Sequence, residues 1–306
     1  NVRLYQRWDE SRNLYTQAWD YGSGDMSFQN PYWIMNKMIN QTKKRRYMLS
    51  ANLKYDVTDW LDVTGRVKVD NADMDITEKR YAGTDTNFAG EKGMYSIIKR
   101  NDRQIYADAI ANIDLTFAGD YHLSANVGAS LKDVRMDFMG WGGDLRKIPN
   151  FFSITNISTT NYKEREDGSH IQSQSIFANV ELAWKSMLYL TVTGRNDWES
   201  ALAFSKYKSF FYPSVGLSAV VSEMVDMPEW FSFLKVRGSY SAVGSSYAAY
   251  LTKPYYDYKG QTHEWDSLHR FPNENLKPEK TKSWEVGLNA RFFGGKLNFD
   301  ATWYRS

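Results

Sequence analysis

The chain has 306 residues, a net charge of +2 and a mean hydropathy of -0.59. That length admits two average soluble domains or one large β domain, and the balanced charge gives no electrostatic argument for nucleic acid as a partner. No stretch approaches the roughly 18 uninterrupted apolar residues of a membrane helix, and the absence of cysteine removes disulfides, thiolate metal sites and Cys nucleophiles.

Aromatic residues make up 16%, with 21 Tyr and 11 Trp. Their apolar bodies and polar tips suit a membrane–water boundary or a sugar-binding surface. The chain opens at Asn1 without a basic segment and apolar core of a signal peptide. Residues Leu297 to Ser306 still alternate where the sequence stops. The expectation is a piece of a mature exported protein.

Taken in chain order, residues 1–42 read as a loop region preceding a basic cluster, Lys43-Lys44-Arg45-Arg46. That cluster solvates the start of a strand or faces outer-leaflet phosphates. From there the dominant signal has period two. Tyr47, Leu49, Ala51, Leu53 and Tyr55 alternate with Met48, Ser50, Asn52, Lys54 and Asp56. Next, Leu61, Val63, Gly65, Val67 and Val69 oppose Asp62, Thr64, Arg66, Lys68 and Asp70. Side chains alternate across a strand, so one face is apolar or small and the other polar.

Ile105 to Phe117 and Tyr121 to Leu131 carry the same signature on odd positions. Ile176 to Trp184 and Leu188 to Gly194 carry it on even ones. Phe211 to Val221, Leu234 to Ala242, Trp284 to Phe292 and Leu297 to Trp303 complete ten predicted strands, most of them long enough to cross a bilayer at a tilt. Ile110 and Phe177 are exceptions on the polar face.

The connections alternate too. Short turns are predicted at Asp56–Trp60, Ala118–Asp120, Lys185–Met187, Ser222–Phe231 and Phe293–Gly295. Long links are predicted over Asn71–Arg103, Lys132–His170, Asp197–Phe210 and Val243–Lys280. Tight turns at one end and large loops at the other are the plan of an antiparallel up-and-down transmembrane β-barrel with short periplasmic turns. A soluble sandwich has no reason to segregate loop length in this way. Aromatics gather at the short-turn end: Tyr55 with Trp60, Trp184 with Tyr189, Trp230 with Phe231, Phe292 with Phe293. They form an interfacial girdle, or else pack across strands in a soluble sheet.

A closed barrel satisfies all backbone hydrogen bonds within itself and can sit in lipid. Arg66, Lys68, Asp108, Asp114, Glu181, Arg195, Arg237 and Glu285 all fall on the polar parity and are predicted to line a wet lumen.

Several phrases in order then carry a resemblance. They are Asn30-Pro31-Tyr32-Trp33, Thr193-Gly194-Arg195-Asn196-Asp197-Trp198 and Phe211-Tyr212-Pro213-Ser214-Val215-Gly216-Leu217-Ser218. Leu234-Lys235-Val236-Arg237-Gly238-Ser239-Tyr240 and Asn275-Leu276-Lys277-Pro278-Glu279-Lys280-Thr281 follow, the latter leading into Trp284-Glu285-Val286-Gly287. From about Asn30 to Ser306 the chain resembles the SusC/RagA family of TonB-dependent outer-membrane transporters of Bacteroidetes. The resemblance implies a barrel of about 22 strands with an N-terminal plug. It also implies energisation through TonB and a SusD-like surface lipoprotein that helps import glycans or oligopeptides. The plug, the TonB box and the terminal strands are not visible here, so the chain is expected to be a mid-barrel portion in the outer membrane.

Site chemistry is sparse. His122, His170, His263 and His269 lack metal-ligand spacing. Asn71, Asp73 and Asp75 imitate the start of a calcium loop, but Ile76 and Ala82 stand where that loop needs Gly and Glu. No nucleophile–base motif and no phosphate loop appears, so neither catalysis nor a cofactor is expected. Ligand or partner contact is sought in the long-loop aromatics Trp141, Phe151, Phe152, Tyr255, Tyr256, Tyr258 and Trp265, which stack on sugars or peptides or else pack the loops. Two rivals stand beside this reading: a self-contained passive or structural barrel, and a soluble secreted glycan-binding β protein.

Overall fold

The computed structural model describes residues 3–18, 29–245, 247–254, 256, 258–259, 264–265 and 271–306. A small hairpin comes first, β1 (Gln6–Asp9) with β2 (Leu14–Gln17), followed by helix α1 (Pro31–Lys37). Pro31 opens the helix, where its missing N–H costs nothing, and the Asn30 side chain accepts a hydrogen bond from the Tyr32 N–H as N-cap. The strands β3 (Met38–Thr58), β4 (Leu61–Tyr81), β5 (Gly93–Phe117), β6 (Tyr121–Leu145) and β7 (Ile157–Trp184) follow. Then come β8 (Leu188–Glu199), β9 (Ser209–Val220), β10 (Phe231–Ser245), the short pair β11 (Tyr258–Lys259) and β12 (Glu264–Trp265), β13 (Glu279–Phe292) and β14 (Leu297–Arg305).

Ten of these form one sheet in the order β14-β13-β10-β9-β8-β7-β6-β5-β4-β3. Each strand therefore pairs with the next in sequence, save for the β11–β12 ladder set into the connection between β10 and β13. This is the predicted meander. Its register keeps the parity intact from strand to strand. Val180 pairs with Val192, Val192 with Val215 and Val215 with Tyr240. Tyr240 pairs with Trp284, and Val286 with Trp303. Directly opposed residues share a face, and one slip of register would put each on the other side.

That apolar face is bare. Leu53 is 75% exposed, Val286 59% and Trp303 60%, and Leu49, Val67, Val127, Ile176, Val192 and Leu217 are exposed as well. A soluble sandwich buries such a face under a second layer, whereas among the described residues no second layer covers these side chains. Among the described residues no helix is long and apolar enough to cross a membrane.

The chain divides into two units. One comprises Asn1–Met48, Asp70–Arg103 and Arg135–Ser169. Its core is made of small contacts around Trp33, which is fully buried and donates its indole N–H to Thr84 Oγ1 at 2.9 Å. Asn156 orders the 146–156 loop, its carboxamide oxygen accepting from the N–H groups of Lys147 and Ile148 and its amide donating to the carbonyls of Ile148 and Phe151. The other unit comprises Leu49–Val69, Gln104–Val134 and His170–Ser306 and holds the amphipathic strand segments.

Two long links differ from expectation. Most of Asn71–Arg103 and Lys132–His170 is strand, and the loops shrink to residues 82–92 and 146–156. Likewise β3 begins at Met38, within the region expected to be loop. The reason is an inversion of pattern. Past Val69 the odd positions of β4 are Asn71, Asp73 and Asp75, while Ala72, Met74 and Ile76 take the other face. Past Leu131, β6 shows Asp133, Arg135 and Asp137 against Val134, Met136 and Phe138. Strands of 21–28 residues far exceed the roughly 9–11 that span a bilayer. Outside the span that a bilayer would cover, neither face would have to be apolar.

Candidate functional site: the polar face of the sheet

The eight charged residues predicted for the lumen share the parity opposite the bare apolar face, and six of them are held in networks. Arg66 on β4 grips Asp108 on β5 with Nε to Oδ1 at 2.9 Å and Nη2 to Oδ2 at 2.7 Å. The carboxylate is wholly covered, while the guanidinium stays half exposed. A bidentate pair of this kind fixes both orientation and charge. One step along the same face, Asn112 donates to Asp62 at 2.6 Å and Asn126 donates to Asn112 at 2.7 Å, a chain across three strands.

On β8, Arg195 donates through Nη2 to Ser175 Oγ and through Nε to Asp197 Oδ1, each at 2.7 Å. It also lies over the ring of Phe177. That ring rests on Gly128, where a Cβ would stand 2.7 Å from Cζ, so the exception noted on the polar face has a seat built for it. Glu181 accepts from the Thr191 hydroxyl at 3.2 Å. Arg237 lies across β13 above Gly287, donates to Thr302 Oγ1 at 2.6 Å on β14 and stands 3.5 Å from Glu285. Of the remaining two, Lys68 is exposed, and Asp114 is exposed with His122 at 3.6 Å.

Asp62, Asn112, Asn126, Ser175, Asp197, Asp300 and Thr302 complete these networks and were not singled out from sequence. Their signal was present as polar parity combined with hairpin register. The pairs Asp62–Asn112 and Arg66–Asp108 are exceptions, because β4 and β5 are joined by the long 82–92 link and no tight turn fixes their register.

The loop aromatics are distributed differently. Trp141 stacks on Tyr162 with centroids 4.6 Å apart, and Phe152 packs edge-on against Tyr81 at 4.9 Å. Phe151 is half exposed. Tyr258 meets Trp265 at 5.2 Å, and Tyr256 and Trp265 flank a hollow of about 420 Å³. Tyr255, His263 and His269 lie outside the described residues. Asn71, Asp73 and Asp75 are strand residues rather than a loop: Asp73 accepts from Asn101 at 2.6 Å and Asp75 pairs with Arg45 at 3.2 Å. At the short-turn end the aromatics touch one another yet remain exposed. Trp230 stacks on Phe292, Lys185 lies over Trp184, and Trp60 is 42% exposed. Rings half packed and half open, with lysines beside them, suit a boundary layer.

Residues 1–306 match the family described as TonB dependent receptor-like, beta-barrel. The chain belongs to the TonB-dependent receptor β-barrel family. It is 25% identical over 293 residues to TonB-dependent receptor P26 of Formosa agariphila, an alignment covering 90% of this chain and 29% of that protein. Among solved structures it superposes on the RagAB peptide importer in its open-open state with a TM-score of 0.79 at 17% identity, covering 94% of this chain and 32% of the other. On the ferric-catecholate import receptor Fiu of K12 E. coli the TM-score is 0.53 at 10% identity, with 88% and 41% covered. The chain thus spans less than half the length of each of these proteins. The family is one of outer-membrane receptors and transporters.

Proposed function

We propose that this chain is a wall segment of a SusC/RagA-type importer, energised through TonB and working with a SusD-like surface lipoprotein to admit oligosaccharides or oligopeptides. In this reading the ten strands belong to a closed barrel of about 22, whose plug and TonB box lie elsewhere in the protein. Outer-membrane lipid covers the apolar parity, and Arg66, Asp108, Glu181, Arg195, Arg237 and Glu285 line the solute path. The observation that carries it is the division of one continuous sheet into an uncovered apolar face and a face on which charges are tied across neighbouring strands. The likeness in fold to a peptide importer supports the type. Of the loop aromatics, the exposed Phe151, Tyr256, Tyr258 and Trp265 offer rings to the solute or to the lipoprotein. Trp141, which lies in β6 rather than in a loop, packs against Tyr162 of β7, and Phe152 holds the 146–156 loop against Tyr81.

The test is uptake by cells of labelled oligosaccharides and oligopeptides above porin size, with the intact transporter present or deleted and TonB active or depleted. Accumulation that needs both is expected. Uptake indifferent to TonB would point instead to a passive barrel.

A further inference from the structure

The 82–92 loop between β4 and β5 folds over the polar-parity face. Arg80 donates from Nη1 to the Phe88 carbonyl at 2.8 Å, and Asp144 on β6 accepts from the Gly90 N–H at 2.7 Å. Ala82 N–H donates to Asn150 Oδ1 at 2.7 Å, and Asn150 N–H in turn donates to the Lys92 carbonyl at 3.1 Å. A loop tied at both ends and at its tip encloses a recess of about 440 Å³ against the strands.

The floor of the recess has the parity of Arg66 and Asp108. Register confirms it without a bulge: a Cβ on Gly128 would meet Ile110, one on Gly140 would meet Ile98, and one on Gly142 would stand 2.7 Å from Ser96 Oγ. Ser96 and Ile98 therefore continue the face that bears Asp108. Gly142 keeps the floor open, since a side chain there would fill it.

The charges on the wall are unequal in commitment. Glu78 and Arg80 neutralise each other at 2.6 Å, and Asp144 is occupied by the loop backbone. Lys163 on β7 is exposed and, among the described residues, makes no ion pair. The hydroxyls of Ser96 and Thr86 lie on the same wall. Among the described residues the recess therefore offers one positive charge without an ion-pair partner, hydroxyl groups and an apolar strip from Ile98 and Phe88. We propose that it is a solute subsite that takes a carboxylate-bearing segment, with Lys163 as its charge partner. This rests on the importer reading above. Acidic peptides and uronic-acid oligosaccharides share that chemistry.

Binding and uptake by the intact transporter would be measured with two probe pairs. One is an acidic oligopeptide against its amidated neutral counterpart, and the other a uronic-acid oligosaccharide against a neutral one. Lys163→Glu is expected to weaken binding of a carboxylate probe by about tenfold or more, as loss of a charge-assisted contact implies, and to leave the neutral partners unchanged. Lys163→Arg should restore it. Gly142→Val, which fills the recess without touching the charge, should weaken the same probe. Dependence in one arm alone supports the subsite and names the source of the carboxylate. Normal uptake in both arms with no effect of Lys163→Glu or Gly142→Val would overturn the subsite and leave the importer standing. Absence of uptake for every probe would contradict the importer itself.

Discussion

Within single strands of this sheet two stretches obey opposite rules. In β4, Leu61 to Val69 put apolar side chains on odd positions, and from Asn71 the odd positions are polar while Ala72, Met74 and Ile76 take the even ones. In β6 the change falls between Leu131 and Asp133. Both stretches lie in one unbroken strand, and under the proposed barrel reading what differs is the solvent facing each side. Where hydrocarbon lies outside, the outward face must be apolar, and where water lies outside, it need not be.

The most forceful way to break this comparison is to put the same charge at both levels of one strand face. Val127 and Asp137 share β6 and share parity. Val127→Arg should cost ~2–4 kcal/mol if it meets mid-membrane hydrocarbon, while Asp137→Arg should stay within about 0.5 kcal/mol as an ordinary surface change. Midpoints of urea unfolding for the intact barrel in lipid vesicles would measure both. Equal costs would remove the distinction between the two levels.

A smaller effect sharpens the description of the polar face. Asp108→Ala strands Arg66 beside a covered space and should destabilise by about 1–3 kcal/mol, toward the low end because the guanidinium is half exposed. Arg66→Met combined with Asp108→Ala should recover part of that loss, which a double-mutant cycle reads directly.

The smallest effect concerns the turn between β7 and β8. Lys185 and Ser186 both sit in left-handed backbone, with φ of 51° and 55°. Positive φ at successive positions of this three-residue turn, which joins the paired Trp184 and Leu188, favours Gly or Asn. Ser186→Gly should raise stability by about 1 kcal/mol by relieving the Cβ contact. An unchanged or lowered unfolding midpoint would show that the strain is absorbed elsewhere.

These contrasts also explain how much was legible beforehand. The amphipathic strand segments were readable because their alternation is strict, as lipid on one side and water on the other would impose under the proposed reading; Leu61 to Asp70 is the plainest case. The register was implicit in the tight turns only for the strands they join, so the meeting of Arg66 and Asp108 across the long β4–β5 link was not legible. The outer parts of β4 to β7 were read as loops because alternation there inverts, and averaging across Val69 to Asp73 erases the period. Seats such as Gly128 under Phe177 and Gly287 under Arg237 depend on side chains reaching across strands, which no single-strand pattern encodes. The recess under the 82–92 loop depends on loop closure through Asn150 and Asp144, contacts that are 68 and 54 residues apart in sequence.

Single cysteines placed one by one from Leu61 to Tyr81 in the intact transporter give the most direct check on the two-solvent rule. A lipid-soluble label should react at Leu61, Val63, Gly65, Val67 and Val69 and skip the positions between them, and from Asn71 outward a water-soluble label should take over on that same side. Lipid-soluble labelling that ignores parity below Asn71, or that persists unchanged through Asp75, would contradict the account.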